Sequence, residues 1–308
     1  MRLLCLALVS ACAGNEPASP PGDGPGGNDD SPPTQDGDPG GLVTGTLAVS
    51  WMHGSQNCAQ NTDPEVQVHA YNASTHIIRQ NKCDTFEAPF IYVLAGTERA
   101  LVLDSGATSS TTLRTTVRGL IGSLPLTVAH SHGHGDHVAG DGTFSGQPNT
   151  TVVGTSVAAV QAAFGIATWP TDVGSIDLGD RVIDVLGVPG HQTSHIALYD
   201  RQTGLLLTGD SLYPGFLFIP DWSTYRASMS RLAAFAAAHP IAHVLGAHVE
   251  MTSTPGQAYP YGTTFQPAEH VLQLTAANVA ELDAALAAAG PTPPNTDIVK
   301  TDFIIAPN

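Results

Sequence analysis

Residues 128–140 read VAHSHGHGDHVAG and hold four of the 13 histidines in the chain. His132 and His134 stand two residues apart, so on extended backbone their imidazole rings point to the same side and can bind one ion. Asp136 and His137 follow a glycine, which allows the chain to turn them towards a second ion. Because neutral imidazole and carboxylate suit zinc, iron or manganese, the stretch predicts a metal site directly after a buried strand.

The composition limits the partners that this protein can have. Its 308 residues are enough to bury a sizeable core in one large domain or two small ones. The net charge is -16, with 11 Lys plus Arg in total. Such an acidic surface repels phosphate backbones, so we expect a small-molecule substrate and no nucleic acid.

The N-terminus predicts export. Residues 1–11 contain one Arg, an apolar run and then small residues, which is typical of a signal peptide. The tetrapeptide VSAC, which ends at Cys12, resembles the lipobox of bacterial lipoproteins, in which the cysteine is lipidated. We therefore predict a lipid anchor in the bacterial cell envelope, with the membrane contacted through this anchor alone. The alternative is ordinary cleavage within Ala11–Ala13, which would release a secreted protein.

The segment that follows predicts a tether and then one domain. Residues 12–42 are nearly all Gly, Pro, Asp, Ser and Asn, a composition that favours disorder. Residues 43–308 show no further linker, so we predict a single folded domain there. In an exported protein the isolated pair Cys58 and Cys83 predicts a disulfide, and two buried free thiols are the alternative.

The order of apolar segments predicts a layered α/β fold. Short strands come first as pairs, including a hairpin around Gly96–Arg99, and later alternate with helices. We predict a strand within residues 45–54 and a helix over residues 267–290, among others. Two sheets placed between layers of helices satisfy this order.

Four further motifs, each after an apolar strand, complete a pattern that resembles the metallo-β-lactamase superfamily. They are LVLDSG with Asp104, VPGHQTSH with His191, LLTGDSLYPG with Asp210 and VLGAHVEMT with His248. The resemblance spans about residues 86–250. It implies an αββα sandwich of two mixed β-sheets with outer helices.

The resemblance also implies two divalent metal ions, with Zn²⁺ expected and Fe or Mn as alternatives. His132, His134 and His191 would bind one ion, Asp136, His137 and His248 would bind the other, and Asp210 would bridge them. A water shared by two cations has a lowered pKa, so it supplies hydroxide near neutral pH. Asp136 would orient this hydroxide and pass on a proton, and Asp104 would fix a ligand imidazole.

Two further side chains are candidates for catalytic roles. Tyr213 lies three residues after Asp210, where lactonases of the superfamily carry a Tyr whose hydroxyl meets a substrate oxyanion. The alternative for Tyr213 is a packed aromatic ring. His195 lies four residues after His191 and could contact the substrate or a ligand.

The ligand set indicates hydrolysis of an ester, lactone or thioester. Many β-lactamases of the superfamily lack a bridging aspartate, so Asp210 favours the glyoxalase II and lactonase branch. About 60 residues follow His248, less than a glutathione-binding helical domain needs, so the substrate stays open. The alternatives are a β-lactamase, an iron-dependent redox enzyme, and a non-catalytic metal-binding surface lipoprotein.

Overall fold

The computed structural model of the protein describes residues 41–307. The predicted signal peptide at 1–11, the lipidation site Cys12 and nearly all of the 12–42 tether lie outside these residues. The limits of the three segments therefore stay predictions. Within the described residues, no helix is both long and apolar enough to cross a bilayer.

The first sheet has six strands in the order β1-β2-β3-β4-β5-β6. Strands β1 to β4 pair antiparallel, whereas β4, β5 and β6 pair parallel. The predicted hairpin joins β3 to β4. The strand bounds are β1 Val66–Asn72, β2 Thr75–Gln80, β3 Phe90–Ala95, β4 Ala100–Leu103, β5 Leu126–Ala129 and β6 Thr150–Val152.

The second sheet also has six strands, in the order β13-β12-β10-β9-β8-β7. All of its pairs are antiparallel except that of β10 with β12, so this sheet is mixed like the first. The bounds are β7 Val173–Asp177, β8 Val182–Gly187, β9 Ile196–Asp200, β10 Leu205–Gly209, β12 His243–Gly246 and β13 Gln273–Leu274.

A third sheet and six helices complete the described fold. The third sheet has the order β11-β15-β14, and the sequence analysis did not predict it. Its strands are β11 Phe216–Ile219, β14 Ile298–Val299 and β15 Ile304–Pro307. The helices are α1 Thr112–Ile121, α2 Gly135–Val138, α3 Asp141–Phe144, α4 Val157–Phe164, α5 Trp222–Ala238 and α6 Ala276–Ala289.

Three hydrophobic layers show how the two large sheets are stacked. Ile77 of β2 belongs to a cluster that joins both sheets, whereas its neighbour Ile78 belongs to a cluster formed with α1. Successive side chains of a strand point to opposite faces, so these strands are apolar throughout because both faces are buried. The outer face of the second sheet packs against α5 and α6. The layers are therefore helix, sheet, sheet and helix, which confirms the predicted αββα sandwich.

Two predictions of local structure were wrong. Residues 45–54 do not form a strand apart from an isolated bridge at Gly54. Their donors are used elsewhere, because Met52 N donates to Gln67 Oε1 and Val49 N donates to Leu47 O. The predicted helix at 267–290 begins only at Ala276, because Asn278 Oδ1 accepts from Thr275 N at 2.9 Å and caps the helix there.

A disulfide joins Cys58 to Cys83, with their Cα atoms 5.1 Å apart. The pairing agrees with the prediction made from the two isolated cysteines. It links the irregular segment before β1 to the loop between β2 and β3. The same loop contributes Glu87, which lies beside the cluster of histidines described below.

Candidate metal centre

The seven predicted ligands come from four loops that leave the two large sheets at strand ends. The stretch 130–137 follows β5, and His191 lies in the connection from β8 to β9. Asp210 follows β10 directly, and His248 follows β12. Loops at the ends of neighbouring strands meet at one edge of a sheet, so residues far apart in sequence come together there.

The first ligand group consists of His132, His134 and His191. Nδ1 of His134 lies 2.8 Å from Nε2 of His132 and 3.1 Å from Nε2 of His191. Each of the three imidazoles contributes one ring nitrogen, and these three atoms lie within 4.8 Å of one another. His132 and His191 are buried, whereas His134 is exposed on the open side.

The second ligand group consists of Asp136, His137, Asp210 and His248. Oδ2 of Asp136 lies 3.1 Å from Nε2 of His137 and 3.2 Å from Nε2 of His248. Oδ1 of Asp210 lies 3.4 Å from each of the same two nitrogens. This group is more enclosed than the first, because both of its imidazoles are buried.

Asp210 stands between the two groups. Its Oδ1 faces the second group, and its Oδ2 lies 3.8 Å from Nε2 of His132 and 3.7 Å from Nε2 of His191 in the first group. One carboxylate thus presents one oxygen to each set of imidazoles. This is the position expected of a bridging ligand.

The donor atoms fit divalent metal ions. Nε2 of His137 and Oδ1 of Asp210 are buried and have no hydrogen-bond partner among the described residues. An unpaired buried polar atom is costly, and a cation between these atoms would satisfy both. The distances of 3.1–3.4 Å in the second group are close to the separation of about 3.3 Å between ligands of a tetrahedral ion bound at 2.0–2.1 Å.

Asp104 holds the second ligand group in place. Its Oδ2 accepts from Nδ1 of His137 at 2.8 Å, and its Oδ1 accepts from Ser131 N at 2.7 Å. Asp104 has a φ of +73°, a conformation that is rare for residues other than glycine and that is found at functional sites. Fixing Nδ1 of His137 leaves Nε2 free for a metal, so Asp104 occupies the supporting position that was predicted for it.

Backbone carbonyls fix two more imidazoles in the same way. Nδ1 of His191 bonds to the carbonyl oxygen of Phe218 at 2.8 Å. Nδ1 of His248 bonds to the carbonyl oxygen of Glu87 at 3.1 Å. Each contact makes Nδ1 the donor and Nε2 the free nitrogen, as histidine ligands require.

The two groups have opposite electrostatic characters. Burial opposes the charged form of His137, but the carboxylates of Asp104 and Asp210 raise its pKa well above the ordinary value. The pKa of His248 is raised for the same reason, by Asp210 and Asp136 acting against burial. In the first group, burial and the neighbouring histidines lower the pKa of His132 and that of His134.

An open pocket of about 250 Å³ gives access to both groups. Among the described residues that line it, none is lysine or arginine. Its walls beyond the ligands include aromatic rings and two carboxylates that are not ligands. These additional lining residues are Glu87, Tyr213, Phe218, Pro220, Glu250 and Tyr261.

The structure favours one of the two roles expected of each weaker candidate. His195 is fully buried, and its Nε2 accepts from Asp210 N at 3.2 Å while its ring stacks on that of His132. Of the two contacts expected of His195, with substrate or with a ligand, the described structure shows the one with predicted ligands. Tyr213 lines the pocket, but its hydroxyl donates to Phe216 O at 2.5 Å. That proton is available to a substrate oxyanion only after this bond breaks.

Three residues near the site were missed by the sequence analysis. Gln192 Oε1 accepts from Gly133 N at 2.9 Å and so holds the loop that carries His132 and His134. Glu250 stands two residues after His248, a proximity that could have indicated its place in the pocket. Glu87 carries no such signal, because it comes from a loop with no motif.

Comparison with known proteins identifies the family to which this fold and this site correspond. Residues 84–235 match the family model described as Metallo-beta-lactamase superfamily. The chain therefore contains a domain of the metallo-β-lactamase superfamily. A solved structure, a metallo-beta-lactamase from Pontibacter korlensis, has a TM-score of 0.50 and 16% identity, and the match covers 72% of this chain and 99% of that one. It supports the fold.

Curated relatives are similar over part of their length. A hydroxyacylglutathione hydrolase of Ectopseudomonas mendocina is 35% identical over 34% of this chain and 40% of the relative. The same enzyme of Aeromonas hydrophila is 30% identical over 48% of this chain and 58% of the relative. A human acyl-coenzyme A thioesterase MBLAC2 is 42% identical over 16% of this chain and 17% of the relative. The chain thus spans 40% to 58% of the first two relatives.

Proposed function

We propose that this protein is a hydrolase that uses two divalent metal ions to cleave a thioester, ester or lactone. The observation that carries the proposal is the position of Asp210, which presents Oδ1 to one ligand group and Oδ2 to the other. Similarity to hydroxyacylglutathione hydrolases and to a thioesterase supports hydrolysis of an acyl group. Zinc is the proposed metal, because the groups combine imidazole and carboxylate, and iron and manganese are alternatives.

When bound, the two ions would lower the pKa of a shared water and polarise the substrate carbonyl. The described residues supply the rest of the chemistry. His132, His134 and His191 would hold one ion, Asp136, His137 and His248 would hold the other, and Asp210 would contact both. His195 holds the backbone N–H of Asp210, which keeps the carboxylate between the two groups.

Asp136 is the proposed acid–base residue. Its carboxyl is partly exposed to the pocket, whereas the imidazoles beside it are buried. Burial opposes ionisation, but the neighbouring imidazoles of His137 and His248, whose Nε2 atoms lie 3.1 and 3.2 Å from its Oδ2, lower the pKa of Asp136. The ionised carboxylate can therefore orient an attacking water and accept its proton.

The experiment is a substrate panel on the purified protein. We expect turnover of a thioester, a lactone or an ester that chelator abolishes and zinc restores. His134→Ala should lose this turnover, because it removes a nitrogen of the first group. His53→Ala serves as the control, because His53 is an exposed histidine outside both groups. Full activity in His134→Ala would reject the site, and turnover of a chromogenic β-lactam alone would favour a β-lactamase.

Metal analysis separates the proposed hydrolase from an iron-dependent redox enzyme. A purified protein that carries iron and shows no hydrolysis would favour a redox enzyme.

We also propose that Cys12 anchors the protein in the bacterial cell envelope. Incorporation of labelled palmitate that is lost in Cys12→Ser would support the anchor, and equal release of both forms into the medium would contradict it.

A further inference from the structure

A small chamber opens beside the metal pocket and shares three lining residues with it. Glu87, Glu250 and Tyr261 line both spaces. The chamber has room for about one water-sized group, at about 20 Å³. A substrate held at the metal ligands could therefore extend one small terminal group into it.

Three of the residues that line the chamber, Glu87, Glu250 and Gln266, carry carboxyl or amide oxygens that can accept hydrogen bonds. Gln266 is 3% exposed and lines the chamber, and its Oε1 has no hydrogen-bond partner among the described residues. Native proteins rarely leave a buried acceptor unpaired, so this oxygen indicates a missing donor. The described contacts of the Glu250 side chain both involve Oε2, which accepts from Phe216 N at 2.8 Å and lies 3.4 Å from Tyr213 Oη.

Aromatic rings form the walls of the same chamber. Phe86 meets Tyr261 edge to face, with the ring centres 5.0 Å apart. Tyr261 is 74% exposed, which is unusual for a large aromatic side chain and places its ring at the mouth. Rings combined with carboxylates are the surroundings that bind ammonium groups.

We propose that this chamber binds a primary ammonium group on the substrate, so that the protein hydrolyses acyl compounds with an amine at the end of one chain. The proposal rests on the proposed hydrolase function for the reaction. A primary ammonium has three N–H donors, and Glu87, Glu250 and Gln266 offer an acceptor each. Its size suits a chamber with room for about one water-sized group.

Lys82 is the one cation among the described residues that line the chamber. Its Nζ donates to Phe86 O at 3.2 Å, which directs one N–H away from a ligand. Burial, followed by the charge of Arg79, lowers the pKa of Lys82 to about 8. The two carboxyl groups of Glu87 and Glu250 outnumber this one cation among the described lining residues.

The first test compares substrates that differ only in charge. Ethyl thioesters of β-alanine and of 6-aminohexanoic acid are matched with those of butyric and heptanoic acid, in which a methyl replaces the ammonium. We expect kcat/KM to favour an amine over its neutral match by at least about tenfold, because an unfilled polar site disfavours the analogue. Equal rates for both members of each pair, or preference for the neutral ones, would overturn the proposal.

Variants then assign the preference to the chamber. Glu87→Gln and Gln266→Leu should each lower the ratio of the two kcat/KM values about tenfold, mainly through the KM of the amine. Tyr261→Leu, at an exposed position, should lower the ratio about threefold without endangering the fold. Glu98→Gln removes the same charge at an exposed site outside the chamber and should leave the ratio unchanged. An equal effect of Glu98→Gln would show that the preference comes from net charge.

Binding measured without turnover separates this proposal from the hydrolase proposal. Calorimetry on the full chain should detect butylammonium but not butan-1-ol, and Glu87→Gln should abolish the signal. Lys82→Met should strengthen the binding of butylammonium, because it removes a competing cation. If butyrate binds instead and Lys82→Met abolishes it, the chamber is an anion site and the proposal is wrong. Ammonium binding in a protein that hydrolyses nothing would reject the hydrolase and keep the chamber.

Discussion

The two ligand groups differ in charge and in their supports, although they lie side by side. The first group has three imidazoles, one of them exposed, and the second has two imidazoles and two carboxylates. His137 in the second group is supported by the carboxylate of Asp104, whereas His191 in the first is supported by a neutral carbonyl. Because carboxylates stabilise a dication more than imidazoles do, we expect the second group to bind its metal more tightly.

The largest effect should come from Asp210→Asn, because Asp210 is common to both groups. The loss of its charge weakens both metals together, so activity should fall by about 10³-fold, or about 4 kcal/mol of activation free energy. Metal content and kcat/KM provide the measurements. Asp297→Asn, an exposed carboxylate outside both groups, is the control. An Asp210→Asn protein with two tightly bound metals would show that the bridge is not needed.

Asp104→Asn should affect the second group more than the first, because in the described hydrogen bonds Asp104 reaches His132 only through the hydroxyl of Ser131. It removes the charge that faces Nδ1 of His137, and loss of such a support lowers metal affinity or activity about 10–100-fold. Stepwise metal titration should show one strongly weakened site and one site whose affinity changes less. Equal weakening of both sites would mean that Asp104 supports both groups to the same extent.

Gln192→Ala should weaken metal binding at the first group, but by less than Asp104→Asn weakens it at the second. Gln192 holds the backbone of Gly133 and contacts no ligand nitrogen in the described hydrogen bonds. We expect the affinity of the first group to fall by less than about tenfold. The same titration provides the measurement, and a larger loss than in Asp104→Asn would reverse the proposed order of the two supports.

The smallest effect is a difference in proton release when metal binds at pH 7. The pKa values of His137 and His248 are raised, so these imidazoles carry protons that a metal must displace, and affinity should increase as pH rises. The pKa values of His132 and His134 are lowered, so these imidazoles are already neutral. Zinc titration in buffers of different ionisation enthalpy should show more proton release in His134→Ala, which keeps the second group, than in His248→Ala. Equal release would contradict the electrostatic difference.

The sequence predicted the large features of this fold because they depend on local patterns. Apolar runs at strand length indicated the two sheets, and the motifs indicated which strand ends carry ligands. The small third sheet was missed because β11 and β15 pair in parallel across more than 80 residues, and nothing local marks such a pair. The helix start at Ala276 was missed because a short cap outweighed the apolar pattern before it.

In the candidate site, too, residues marked by a local pattern could be predicted, whereas residues brought in by the fold could not. All seven expected ligands are brought together, since each has a chemically distinctive side chain directly after a strand. Their roles as ligands remain a prediction that metal binding must test. Glu87 and Gln266 could not be found, because ordinary polar residues in loops acquire a function only through the neighbours that the fold gives them. His195 was expected to contact the substrate or a ligand, and its buried position brings it against His132 and Asp210.

The most direct test of the account is a crystal structure with anomalous diffraction measured above and below the zinc absorption edge. We predict two peaks about 3.5–4 Å apart, one beside each ligand group, with the carboxylate of Asp210 between them. A single peak, or peaks away from His132, His134, His137 and His248, would contradict the claim that these loops form a two-metal centre.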